Sequence, residues 1–235
     1  VSRARAARRP PTSREDALRN RTNLLRAAGE RIALHGTAVP LDEIARAAGV
    51  SSGTLYRNFA SRHDLVRALY DVLVDRFDAL VAELLVAPSG WDAIVGYVDG
   101  VIAIATEHPE LAQVFTYMRR EEPGYRPGDQ WVEPAERVAE RAHREGSLRT
   151  DVTATDLTYL PHLLVPMLRW VEPQRHVLLA RMRALLLDAL RPLDGHGELP
   201  EQPLSVAELR AGAFGGTSRA ETSASGCSTA SAARG

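Results

Sequence analysis

Apolar residues recur every three or four positions along most of the chain, without a long alternation of apolar and polar residues. That spacing predicts helices and no sheet. A first helix is expected over 13–36, with Ser13 as its cap, Asp16 three residues on, and Gly36 as a left-handed stop. Leu25, Ala28 and Ile32 would form its inner face. Pro40 suits the first turn of a short second helix ending at Gly49, and Asp42 and Glu43 complement the positive end of its dipole. A third helix is expected over 52–59 and a fourth over 61–86.

Beyond Pro88 the pattern predicts helices at 91–107, 110–119, 131–145, 155–171 and 174–190, with Pro161 and Pro166 bending the one over 155–171. The stretch 122–129 holds Pro123, Gly124, Pro127 and Gly128, and is expected to be the most irregular internal connection, a plain surface loop or else a mobile one. Periodicity fades after Pro192, and 217–235 is small and polar, with too little apolar surface to offset the entropy of ordering. The expected organisation is all-α, with about nine helices. It comprises a basic flexible arm (1–12), a three-helix unit (13–60), a larger helical unit (61–192) and a mostly disordered tail (193–235).

Between Leu41 and Phe59 two short helices meet at a glycine, which suits a helix-turn-helix. Small Ala45 permits close approach, Gly49 can take the positive φ of the turn, and Ile44, Ala48, Val50 and Leu55 pack between the helices. The other face of the second of these helices is polar. Ser52, Thr54, Tyr56, Arg57 and Asn58 can bond phosphates or base edges, and Gly53 lets the backbone come close.

Charge sharpens this picture. The net charge of −1 conceals thirteen arginines against six acidic residues in 1–70, which is +7, and sixteen against twenty-four in the remainder, which is −8. This asymmetry points to a basic module with a polyanionic partner joined to a body without one, the alternative being a disordered basic arm unrelated to function. Four of the arginines, Arg3, Arg5, Arg8 and Arg9, lie in the first ten residues and could follow a phosphate backbone. Every basic residue is arginine, from which no function follows.

Other classes of function find little support. The one cysteine, Cys227, stands in the Ser/Ala-rich tail, so neither a disulfide framework nor a four-ligand zinc site can form. No apolar run approaches the roughly 18 residues of a membrane span, and the arginine-rich start lacks the apolar stretch of a signal peptide. A cytoplasmic protein without cofactor, metal or membrane partner is expected. Nucleophile-elbow, phosphate-loop, dinucleotide and zinc-protease motifs are missing, which argues against an enzyme. A helical enzyme and an architectural DNA binder without effector control remain the alternatives.

The series Ile44-Ala45, Ala48-Gly49-Val50-Ser51, Gly53-Thr54-Leu55-Tyr56, Phe59 and Leu65 resembles the signature of the TetR family of transcriptional regulators, over roughly residues 23–70. The resemblance implies that the third helix lies in the major groove, with Thr54 and Tyr56 on phosphates and Ser52, Gly53 and Arg57 facing base edges or nearby backbone. Arg57 is then the candidate for bidentate reading of guanine. Asn58 stands where the family usually has histidine or another aromatic residue. Arg62 replaces the usual lysine but keeps a charge able to reach the backbone, and Pro40 replaces the usual Thr or Ser cap.

A single recognition helix covers few base pairs, so a homodimer on a palindromic operator is expected. The stripes Leu157, Leu160, Leu164, Leu168, Val171 and Val177, Leu178, Leu185, Ala189 would pair with their symmetry mates as a four-helix bundle. The resemblance also implies repression relieved by a small-molecule effector, bound among the fourth to eighth helices. Candidate lining residues are Tyr97, Phe115, Tyr117, Met118, His162, Met167 and Trp170.

Overall fold

Local caps set most of the helix boundaries in the computed structural model, which describes residues 14–193, 195, 197–205 and 208. Ser13, the arm at 1–12 and the polar stretch at 217–235 with Cys227 lie outside the described residues. The α-helices are α1 (Arg14–His35), α2 (Leu41–Ala47), α3 (Ser52–Asn58), α4 (Arg62–Leu85), α5 (Gly90–Glu107), α6 (Leu111–Glu121), α7 (Val132–Arg144), α8 (Ala154–Tyr159) and α9 (Gln174–Ala189). Among the described residues no strand forms. Ser61 and Ser89 accept the backbone N–H groups of Asp64 and Asp92, and Thr153 with Asp156 closes a reciprocal capping box. Each such cap contributes about 1 kcal/mol.

The fourth helix is the spine. Its Leu65, Val66, Leu69, Leu73 and Phe77 are buried in one apolar cluster that also holds Leu24, Ala28 and Ile32 of α1, Ile44 and Ala45 of α2, Leu55 of α3 with the following Phe59, and Leu111, Val114 and Met118 of α6. The N-terminal unit and the body therefore share a continuous core. A second cluster joins Ile94 and Val98 of α5, Ala139 and Ala142 of α7, Leu148, Val152, Leu157, Leu164, and Leu187 with Leu190 at the end of α9.

Two segments depart from the sequence expectation. The helix expected over 155–171 stops at Tyr159 and gives way to two 3-10 helices, Leu160–Leu163 and Val165–Arg169. Each begins beside a proline, Pro161 or Pro166, and two prolines five residues apart remove too many N–H donors for a continuous α-helix. The stretch 122–129 leads directly into a further 3-10 helix, Pro127–Trp131. It is pinned to the spine: Tyr125 Oη donates to Asp71 Oδ1 at 2.9 Å, while Gln130 Nε2 and Trp131 Nε1 donate to Asp78 Oδ1 at 2.8 and 2.6 Å.

After α9, residues 197–205 return to the body. Arg149 grips Asp151 with two hydrogen bonds of 2.6 and 2.7 Å and also donates to the carbonyl of Gly197, while Leu199 N–H donates to Asp151 Oδ2. The guanidinium, with that N–H, holds the Asp151 carboxyl well below the usual carboxylate range.

Candidate DNA-binding face and effector region

The turn between α2 and α3 is built as its sequence suggests. Gly49 has φ +70°, which lets the chain reverse, while Ile44, Ala45 and Leu55 are buried and Ala48 and Val50 pack against them. Ser51 caps α3 by accepting the Thr54 N–H at 3.2 Å. With Leu55 and Phe59 committed inward, the rest of this helix of about two turns faces outward.

On that face Tyr56 is 53% exposed, and Arg57 and Gly53 are also exposed. Arg57 Nη2 donates to Thr54 Oγ1 at 2.9 Å, and Thr54 Oγ1 lies 2.9 Å from Ser51 Oγ. Ser52 Oγ donates to Asp42 Oδ1 of α2 at 2.6 Å, so this hydroxyl locks the crossing of the two helices and retains only acceptor capacity. Asn58 Nδ2 donates back to the Thr54 carbonyl at 2.8 Å and is half-buried. Arg62 turns away from this face: its Nη1 donates to the carbonyls of Thr37, at 2.7 Å, and Val39, tying the α1–α2 connection to the start of α4.

Sequence reasoning missed two contributors. Arg21 of α1 lies over the Phe59 ring at 4.5 Å and donates to the Asn58 carbonyl at 3.4 Å, placing a cation at the C-terminal end of α3, where the helix dipole is negative. Asp42 braces α3 through Ser52. Both depend on how helices cross, and no local spacing reports that.

The seven candidate effector-lining residues divide. Tyr97, Phe115, Tyr117 and Met118 belong to or pack against the first cluster, with the Phe115 ring 4.9 Å from Tyr70 and 6.0 Å from Phe77. Tyr97 also bridges to α8, its hydroxyl donating to the Thr158 carbonyl at 3.1 Å, and burial pushes its phenol pKa far up. His162 stands in the 3-10 helix Leu160–Leu163, where burial, with Arg119 nearby, lowers its imidazole pKa. Met167 packs on the second cluster, and Trp170 is 57% exposed. Two clefts, of about 280 and 380 Å³, open elsewhere: one between α8 and residues 199–204, the other between the C-terminal end of α4 and the arginines of α7. None of the seven residues lines either.

Among the described residues there is no group of three His, Cys, Asp or Glu side chains able to hold a metal ion, and no helix long and apolar enough to cross a membrane. Residues 24–69 match the model of the bacterial regulatory proteins of the tetR family. No curated protein sequence matches the chain. Among solved structures, it is similar to a TetR transcriptional regulator from Streptomyces coelicolor, at 28% identity over 73% of this chain and 98% of that one, with a TM-score of 0.53. A TetR transcription regulatory protein from Mycobacterium vanbaalenii aligns at 27% identity over 76% and 99%, with a TM-score of 0.52. A gamma-butyrolactone receptor described as ArpA-like aligns at 25% identity over 76% and 92%, with a TM-score of 0.57. Residues 24–69 thus carry the N-terminal segment of the tetR family of bacterial regulatory proteins, joined to a helical body similar to those of solved TetR transcriptional regulators.

Proposed function

We propose that this chain is a cytoplasmic repressor that binds a palindromic operator as a homodimer and leaves it when a small, largely apolar effector enters the body. The observation that carries the DNA-binding half is the outward series on α3, where exposed Tyr56 and Arg57 stand on a helix fixed from beneath by Leu55 and Phe59. Thr54 and Tyr56 contact phosphates, and Arg57 reads a base edge beside Gly53 and Ser52. Asn58 and Arg62 act by holding the reading head together, in keeping with their bonds to Thr54, Thr37 and Val39.

Dimerisation is supported by large apolar side chains left exposed near the end of the chain: Tyr159, Leu163, Trp170, Val171, Val177 and Leu185. The proposed effector region is the junction of the two apolar clusters at α5, a reading supported by Tyr97, Phe115 and Met118 on the first cluster and Met167 on the second. A solved relative named as a gamma-butyrolactone receptor supports an effector of small, mostly apolar character.

Selection of bound duplexes from a random pool tests the operator. A palindrome should be enriched, and its affinity should fall with a log–log salt slope of about −0.9 per phosphate contacted. Arg57→Ala should relax preference at one base pair of each half-site, and Tyr56→Phe should weaken all duplexes alike. An unenriched pool would remove the operator reading.

A further inference from the structure

The outward face of α3 is internally bonded, and the bonds run toward the residue assigned to base reading. Arg57 sits in the last turn of α3, yet its guanidinium folds back along the helix: Nη2 donates to Thr54 Oγ1 at 2.9 Å, and Nη1 lies 3.8 Å from the place a Cβ would occupy at Gly53. Helical side chains lean toward the N-terminus. Here a hydrogen bond fixes one such conformer above the bare backbone of Gly53. The N-terminal turn of a recognition helix is the part that meets base edges in the major groove.

Thr54 is itself anchored. Its Oγ1 lies 2.9 Å from Ser51 Oγ, and its N–H donates to that same oxygen at 3.2 Å. Whichever hydroxyl donates to the other, one hydroxyl hydrogen of the pair stays free, so a phosphate contact there is compatible with the bond to Arg57. An exposed arginine without this anchor would sample many rotamers and lose that freedom on binding DNA.

We propose that Thr54 is a specificity-determining residue that acts through Arg57. Its hydroxyl, held by the Ser51 cap, presets the guanidinium over Gly53 and so sets which base pair Arg57 reads and how sharply. This rests on Arg57 reading a base, as proposed above.

The test uses the full chain with Thr54→Val, Thr54→Ser, Arg57→Ala and the double variant Thr54→Val/Arg57→Ala. Each is measured on the best selected duplex and on duplexes changed at the base pair that Arg57 discriminates. Thr54→Val keeps the branched shape and the Ser51 cap on the backbone N–H, and its melting temperature is recorded as a folding control. The expected result is a discrimination ratio that falls about tenfold or more in Arg57→Ala, falls several-fold at the same base pair in Thr54→Val, and is retained in Thr54→Ser. In the Arg57→Ala background, Thr54→Val should change that ratio no further. Equal weakening of all duplexes by Thr54→Val, with the ratio preserved, would overturn the proposal and leave Arg57 as the reader. No change of ratio in Arg57→Ala would overturn the base-reading assignment itself, and this inference with it.

Discussion

The carboxylate of Glu110, at the start of α6, fills the space that a side chain at Gly29 of α1 would need, since a Cβ there would lie 2.7 Å from Oε1. Glu110 is only 3% exposed, and its Oε1 lies 3.2 Å from His108 Nδ1. The absence of a side chain at 29 is thus what lets α6 close onto the reading head. Gly29→Ala gains about 1 kcal/mol of helix propensity but overpacks a buried site, which typically costs about 1–3 kcal/mol. Overpacking should win by up to about 2 kcal/mol in urea unfolding. In a Glu110→Ala background the same substitution should become neutral or stabilising, whereas additive penalties would show that the two groups do not compete.

A harsher case lies at the other end of the body. A Cβ on Gly90 would lie 2.5 Å from the Ala142 nitrogen and 2.7 Å from its Cα, which are backbone atoms and cannot swing aside. Gly90→Ala should force α5 away from α7 and cost about 3 kcal/mol. Gly49→Ala makes a useful contrast, because a Cβ there meets nothing within 4 Å and only the positive φ of 70° opposes it. It should cost about 1–2 kcal/mol. Unfolding midpoints in the reverse order would contradict this ranking.

His162 gives stability a pH dependence of definite sign. Burial, with the Arg119 charge in second place, lowers its folded pKa below the ordinary 6.5, so the unfolded chain binds the proton more readily. Above the unfolded value both states are neutral and the group contributes nothing. As pH falls through about 6.5 the folded state loses ground, and the loss levels off below the folded value. Unfolding free energies from pH 8 to pH 5 should show this decline in the wild type and a flatter curve in His162→Gln. Equal slopes would place the dependence elsewhere.

These sites differ in how far the sequence announces them. The fourth helix was expected over 61–86 and runs Arg62–Leu85 with Ser61 and Val86 as its caps, because its boundaries are set by neighbours in the chain. The helix-turn-helix is legible for the same reason, since Gly49, Ser51 and the inward Ile44 and Leu55 act within a few residues of one another. Leu24 is fully buried but was absent from the expected inner face of α1, on which Leu25 is only half-buried; the orientation of that helix is fixed by α4 and α6. The hold of Asp71 and Asp78 on Tyr125 and Trp131 spans more than fifty residues, so a stretch rich in Pro and Gly reads as a free loop until the fold brings α4 beside it. The effector-lining residues are least legible, because an aromatic side chain at helical spacing fills a core and lines a pocket with the same pattern.

Helix α9 divides its apolar residues between two faces. Leu187 is buried in the second cluster with Leu190 just beyond the helix, and Leu179, Met182 and Leu186 pack against it, while Val177 and Leu185 point away and are 55% and 57% exposed. A leucine that is already exposed in one chain contributes little to that chain's own stability, so Leu185→Glu should shift the unfolding free energy of a protomer by no more than about 0.5 kcal/mol. In a two-fold dimer the same position occurs twice. Burying a leucine is worth about 1.5–3 kcal/mol, so losing both should cost association about 3–6 kcal/mol, or roughly two to four orders of magnitude in the dimer Kd. Light scattering at micromolar concentration should then show a monomer, against the dimer proposed for the wild type. Operator affinity should fall with it, because one α3 reaches one half-site. A Leu185→Glu protein that stays dimeric would move the interface away from this face, to be sought on another apolar surface such as that around Leu85 and Val86.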